Sequence, residues 1–223
     1  MHIPLHVLEQ KIASARKHLP KLFDKLRLTA GHYRRSMDKS PDKTVQQHKE
    51  DWQHGNGGMW LGRIRVSEFH TRLYGILTWM DSAHGVEALQ FNEEGKALYF
   101  GPHFWQQYGE RHHVGREHRY VQAEYFRHNA HITLFKPGGY RKGKPKMDGM
   151  TEHGLMLGHS EAEHIVSCNT FVDKTDLRPD KKELYYRLIS RHYMRDLSDE
   201  LKLDLRKSFA ENLAALDELI KAA

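Results

Sequence analysis

The spacing of apolar residues changes character twice along these 223 residues, and that alternation restricts the fold more than any single motif. Leu5, Leu8, Ile12, Ala15, Leu19, Leu22 and Leu26 recur at steps of three and four, which is one apolar stripe along a helix. Proline breaks a helix interior but suits a first turn, so Pro20 predicts a break over residues 17–19 and a fresh start at Pro20. Such a stripe can form a coiled-coil seam between two copies or pack on the domain's own core; the second is the reading taken. From Met59 short runs rich in β-branched and aromatic residues take over. They cover residues 60–69, 72–80, 86–91 and 96–100, then 131–136, 154–158 and 164–172. Asn92-Glu93-Glu94-Gly95 reads as a hairpin turn.

Two helices interrupt the strands. Pro102 opens one that runs to about His113, and residues 116–129 form the next, with Tyr120, Val121, Ala123 and Phe126 inward. After Pro179 the helical period returns through Leu184 and Leu188. Ser198 then caps a closing helix that carries Leu205, Phe209, Leu213, Leu216 and Ile220. Residues 36–58 read as a polar connector with a short helix over 44–52, residues 137–149 as a loop, and residues 159–163 as a polar turn. The expectation is an α+β fold: a central antiparallel sheet with helices before, within and after it. Its parts are a helical arm and connector (1–58), an α+β core (59–178) and a C-terminal helical pair (179–223).

Thirty-five Lys and Arg against 29 Asp and Glu leave a formal charge of +6, which favours a polyanionic partner, RNA before DNA. Cys168 is the only cysteine, so no internal disulfide and no CxxC zinc knuckle can form, and a reducing cytoplasm is the expected setting. No apolar run reaches the roughly 20 residues that span a bilayer, and the N-terminus lacks the apolar core of a secretory signal. No membrane association is expected.

Chemistry concentrates in the middle. Six of the eighteen histidines fall between His103 and His131, beside Arg111, Arg116, Arg119 and Arg127. Imidazole exchanges protons near neutral pH, and guanidinium grips phosphate oxygens in a fork. On a helix His103, Gln107 and Arg111 rise along one face, and His103 lies in the first turn, where free N–H groups favour an anion. The order is a strand, His-x7-Arg closed by Glu110-Arg111, a second helix, and a late Thr170-Phe171-Val172 strand. It resembles the toxin-type ribonucleases of the barnase, RelE and colicin-nuclease group, whose signature is His-x3-Arg-x2-Glu-Arg. The resemblance covers residues 96–177.

That resemblance implies metal-free RNA cleavage, in which the ribose 2′-hydroxyl attacks the adjacent phosphorus. His103 would supply one proton transfer and His128 or His131 the other. Arg111, with Arg119 or Arg127, would stabilise phosphoryl charge, and Thr170 would orient the phosphate. No cofactor is required. Gln107 stands where the signature has its middle arginine, which leaves open a non-catalytic regulator that binds nucleic acid or a protein. The helical ends could take a protein partner or a second copy.

A metal-dependent hydrolase is the third class. His153, His159 and His164 with Glu152, Glu161 and Glu163 are possible ligands, as are His112, His113 and His118. HExxH is absent, and the spacings match no compact zinc motif. Lys136, Tyr140, Arg141, Lys142, Lys144 and Lys146 make a cationic loop suited to phosphates and a stacked base, or simply a solvated one. The chain carries no GxxxxGK[ST], no GxGxxG after a strand and no GxSxG.

Overall fold

Pro4 is the N-cap of the first helix, α1 (Leu5–Arg16), and Pro20 stands in the first turn of α2 (Leu19–Asp38). Lys17 and His18 make the turn between them, where the proline required a break. The structure is a computed structural model that describes residues 3–39, 46–53, 58–66, 71–81, 85–112 and 118–188. The chain divides into two units, Met1–Arg178 and Pro179–Ala223. In the second, residues 179–188 are helical; the predicted closing helix with its Ser198 cap lies outside the described residues.

The first unit is α+β. Its strands are β1 (Gln46–Gln53), β2 (Met59–Val66), β3 (Thr71–Asp81), β4 (Gly85–Asn92), β5 (Ala97–Phe100), β6 (Thr133–Phe135), β7 (Tyr140–Arg141), β8 (Lys144–Met150), β9 (Gly154–Ala162) and β10 (Ile165–Asp173). Between β5 and β6 run α3 (Pro102–Arg111) and α4 (His118–Asn129). The sheet order is β1-β2-β3-β4-β5-β10-β9-β8-β6, with β7 paired only to β8. Every pair is antiparallel except β5 with β10, so the sheet is mixed and not the antiparallel one expected. Parallel neighbours need a long connection, and here α3, α4 and the later hairpins provide it.

Each face of the sheet has its own core. Leu8, Ile12, Ala15, Leu19, Leu22 and Leu26 of the α1–α2 stripe are buried with Trp60, Ile64, Leu89, Phe91 and Tyr99, so the stripe packs on this chain's own sheet. Fully burying side chains of this size contributes about 1.5–3 kcal/mol each. A Cβ on Gly75 would lie 2.6 Å from Leu22, so a glycine there lets α2 approach β3. The opposite face carries an aromatic core in which Phe100, Phe104, Tyr108, Tyr125, Phe126 and Phe171 are wholly buried. Phe104 meets Tyr125 edge-on at 5.2 Å, and Tyr108 meets Phe171 at 5.1 Å. Val121 and Phe126 point inward as expected, Ala123 is half-buried, and the Tyr120 side chain lies outside the described residues. Cys168 is buried, a structural thiol.

Three segments depart from the sequence reading. Residues 44–52 were expected to hold a helix, yet Gln46–Gln53 pairs residue for residue with β2. A segment this polar carries no apolar period to read, and its partner strand decides its conformation. The expected loop over 137–149 contains the β7–β8 hairpin, whose two-residue turn places both Lys142 (φ 52°) and Gly143 (φ 74°) in the left-handed region. The expected turn at 159–163 is strand: β9 continues to Ala162, and the chain turns at Glu163-His164. Among the described residues no helix is long and apolar enough to cross a membrane.

Candidate functional site

Phe104 and Tyr108, one turn apart on α3, lock that helix into the aromatic core, which fixes where its last residues emerge. His112 is the C-cap, its backbone N–H donating to the Tyr108 carbonyl at 3.0 Å. The end of α4 supplies His128 and the buried Asn129, and the turn between β8 and β9 supplies Glu152 and His153. That turn is closed by Thr151, whose hydroxyl donates to the Gly154 carbonyl at 3.0 Å.

These elements stack three imidazoles into a column, with the Tyr108 ring beside the middle one, 6.2 Å from it and nearly coplanar at 5°. Tyr108 and His112 lie 4.4 Å apart between centroids, His112 and His153 4.7 Å, and His153 and His128 4.9 Å, with interplanar angles of 24° to 30°. Carboxylates flank the outer imidazoles. His112 Nε2 is 2.8 Å from an Asp173 oxygen, close but outside hydrogen-bond alignment; His128 Nε2 is 3.3 Å from Glu124, and its Nδ1 is 3.7 Å from Glu152. Asp173 is itself held by the backbone N–H and hydroxyl of Thr175, at 2.8 and 2.7 Å. Burial alone would raise its carboxyl; those two hydrogen bonds and His112 outweigh it and leave the pKa below its ordinary value.

The central imidazole is different. Burial first, then the charges of His112 and His128, push His153 below its ordinary value of 6.5. Its tautomer follows from Asn129. The Asn129 Oδ1 accepts the His153 backbone N–H at 3.0 Å, and Nδ2 donates to the Tyr125 carbonyl at 3.1 Å, so the amide has one orientation. The same Nδ2 faces His153 Nδ1 at 3.3 Å, and the Tyr108 hydroxyl lies 2.9 Å from that atom. Burial raises the Tyr108 pKa far above the ordinary 10.0, so it remains a phenol and donates. His153 Nδ1 is therefore an acceptor, and the ring is a neutral imidazole with its proton on Nε2.

Arg111 completes the cluster. Its Nε is 3.7 Å from Asp176, while its buried Nη1 makes no hydrogen bond among the described residues. An unmet guanidinium donor on the residue before His112 suits an anion.

His128, Glu152 and His153 could also supply metal ligands, since one donor atom from each lies within 4.8 Å of the others. An imidazole ligand holds its metal about 2.0–2.1 Å from nitrogen, close to the ring plane. His128 and His153 are face to face at 4.9 Å and 30°, so their planes do not meet near both nitrogens. His153 Nε2 also carries its proton in this tautomer. A shared ion requires the rings to turn and the proton to leave.

Of the five residues expected to be catalytic, Arg111 and His128 lie at this cluster and three do not; His112, His153 and Glu152, singled out only as possible metal ligands, belong to it. His103 is exposed in the first turn of α3. Thr170 precedes Phe171, which packs on Phe104 and Tyr108, so by strand alternation Thr170 faces away from α3 and its histidine. His131 sits instead with Arg72 and Tyr74. Arg127 is exposed and paired with Glu124 at 2.9 Å. The Arg119 and His118 side chains and all of His113 lie outside the described residues.

The cationic hairpin is partly committed elsewhere. Arg141 is bound by Asp148 at 2.8 Å and by the Gly158 carbonyl, and Lys144 pairs with Glu161. Tyr140, Lys136 and Lys142 are exposed, and Lys146 is half-buried. β8 separates the hairpin from the His153 turn by its own length, about 20 Å at ~3.3 Å per residue.

The histidine set 153, 159 and 164 does not gather. His159 is buried in a closed network: it bonds Glu161 at 2.7 Å, Asn169 donates to it at 2.8 Å, and Ser167 donates to Glu161 at 2.7 Å. His164 is exposed, 3.9 Å from Glu163. Tyr108 was legible only as a core anchor. Asn129 and Asp173 carried one faint signal, a polar residue ending an apolar helix face or strand. No family model, curated protein or solved structure matches this chain.

Proposed function

We propose that the histidine column is a metal-independent proton-transfer site that cleaves RNA, with the chemistry centred on His112, His128 and His153 and not on His103. The observation that carries this is the arrangement of three stacked imidazoles. The outer two are each backed by a carboxylate, and the middle one is held neutral by a fixed amide. Environments that make neighbouring titratable groups unequal mark out acid and base roles.

His112, with Asp173 behind Nε2, takes the ribose 2′-hydroxyl proton through Nδ1. The 2′-oxygen attacks phosphorus, and the bond from phosphorus to the 5′-oxygen breaks. His128, in its protonated form, gives a proton to the departing 5′-oxygen. The products are a 2′,3′-cyclic phosphate and a 5′-hydroxyl. The His153 Nε2–H and the part-exposed Arg111 guanidinium donate to the phosphoryl oxygens as charge builds there. The net charge of +6 favours the polyanion's approach.

The test is cleavage of a fluorescent oligoribonucleotide in chelator. Positioned acids and bases contribute roughly 10²- to 10⁴-fold each. His112→Ala and His128→Ala should lose activity on that scale, and unchanged rates in both would overturn the reading. The proximity of His128, Glu152 and His153 supports a second reading, a metal-dependent hydrolase at the same place. It predicts activity that chelator abolishes and zinc restores. Binding of the oligonucleotide without turnover under either condition would leave the regulator reading.

A further inference from the structure

The face of the sheet that carries the aromatic core also gathers arginines. Leu61 and Met59 of β2 and Tyr74 and Ile76 of β3 point to that core, so the alternation puts Arg63, Arg65 and Arg72 on the same face. Arg63 is accounted for by the end of α4: it is buried, and its Nε donates to the Phe126 carbonyl at 3.2 Å. Arg65 and Arg72 meet across the two strands. The β2–β3 register sets them directly opposite one another. Directly opposed side chains have Cβ atoms about 4.5–5.5 Å apart, and like charges there repel.

His131 positions one of the two. Arg72 Nη1 lies against the His131 ring, 2.5 Å from Nε2 and 3.2 Å from Nδ1. The Tyr74 hydroxyl meets the same ring at Nδ1, 2.5 Å away. Two guanidiniums side by side, one held against an imidazole, form a fork that a phosphate oxyanion bridges well. Placement adds to this. Asn129, which holds His153, and His131, which holds Arg72, are two residues apart, so their Cα atoms are no more than about 7 Å apart.

We propose that Arg65 and Arg72 form a second phosphate subsite, engaging a neighbouring phosphate of the same strand whose scissile phosphate lies at the histidine column. This rests on the column's acting on RNA and adds a length requirement: a substrate with phosphates beyond the cleaved one binds at both places, and a dinucleotide at one only. His131 is a positioning residue in this arrangement, which gives it a role other than proton transfer.

The experiment is fluorescence anisotropy with uncleavable 2′-O-methyl ribonucleotides, one a dinucleotide and one an octanucleotide, over a salt series. Arg65→Glu places opposite charges across the strands, so its melting temperature should equal or exceed that of the native protein, and unfolding cannot account for a loss of binding. Octanucleotide affinity should fall roughly tenfold or more, and the slope of log affinity against log salt should shrink by about 0.7 per lost phosphate contact. Dinucleotide affinity should stay within about twofold. Lys21→Glu, the same change of charge on the exposed face of α2, should leave both unchanged. Octanucleotide affinity and slope that match the native protein, or an equal weakening of both ligands, would overturn the subsite. Failure of the catalytic reading looks different: no turnover by native protein, with Arg65→Glu still selectively weakening the longer ligand.

Discussion

The histidine column and the His159 network are built from the same kinds of side chain and reach opposite outcomes. At His159 both ring nitrogens are engaged, by Glu161 and Asn169, and the Glu161 carboxylate is met by His159, Ser167 and Lys144. Burial would raise the Glu161 pKa, yet those hydrogen bonds hold it below its ordinary value. Both side chains have 0% exposure, so no donor or lone pair faces outward. In the column the His112 and His128 side chains keep 22% and 35% of their exposure, and Arg111 keeps an unmet donor. A saturated polar cluster stabilises structure; an unsaturated one at the surface can do chemistry.

Four experiments probe that contrast, beginning with the largest effect. His112→Ala should lower kcat by roughly 10²- to 10⁴-fold with little change in melting temperature. Equal losses of activity and stability would make the column structural, like its counterpart. Glu161→Ala should do the reverse. Removing one partner from a buried ionic network costs about 3–5 kcal/mol, seen as a midpoint shift in chemical denaturation. The rate per folded molecule should not change, and a stability near that of the native protein would show the network to be dispensable.

The third is a pH dependence. A folded-state His153 pKa below 6.5 means that the unfolded chain binds the proton more readily. The stability this group contributes is complete above pH 6.5 and is lost as pH falls through the folded-state value. Melting temperature should therefore drop more steeply in the native protein than in His153→Gln just below pH 6.5, before carboxylates enter. Parallel curves would show that the ring is not held neutral. The smallest effect concerns the hairpin. Tyr140 and Lys142 are exposed, so replacing both with alanine should alter stability by less than about 0.5 kcal/mol. Short-substrate cleavage should change by less than about twofold, since the site is more than a Debye length (~8 Å) away. A larger loss of cleavage would extend the binding surface along β8.

What local sequence spacing could show, it showed. The Leu8–Leu26 stripe with its interruption before Pro20, the Asn92–Gly95 turn, the Pro102 helix start and the aromatic strands are all carried by residues within a few positions of one another. Where polarity hid the period, the reading went astray. Residues 46–53 and the end of β9 are strands because a partner strand satisfies their backbone. In β9, His159 and Glu161 are moreover matched by polar groups that arrive from elsewhere in the chain.

Sequence by itself determined the α+β class, the concentration of imidazole and guanidinium in the middle of the chain, and the places where helices must begin. Tertiary structure alone decided the parallel contact of β5 with β10, and which histidines of eighteen share an environment. The column joins residues 108, 112, 128, 153 and 173 through ring stacking and ion pairing. The physical reason is one of range. Helix and turn formation depend on neighbours in the chain, whereas the state of an imidazole depends on whatever group the fold sets against each of its two nitrogens.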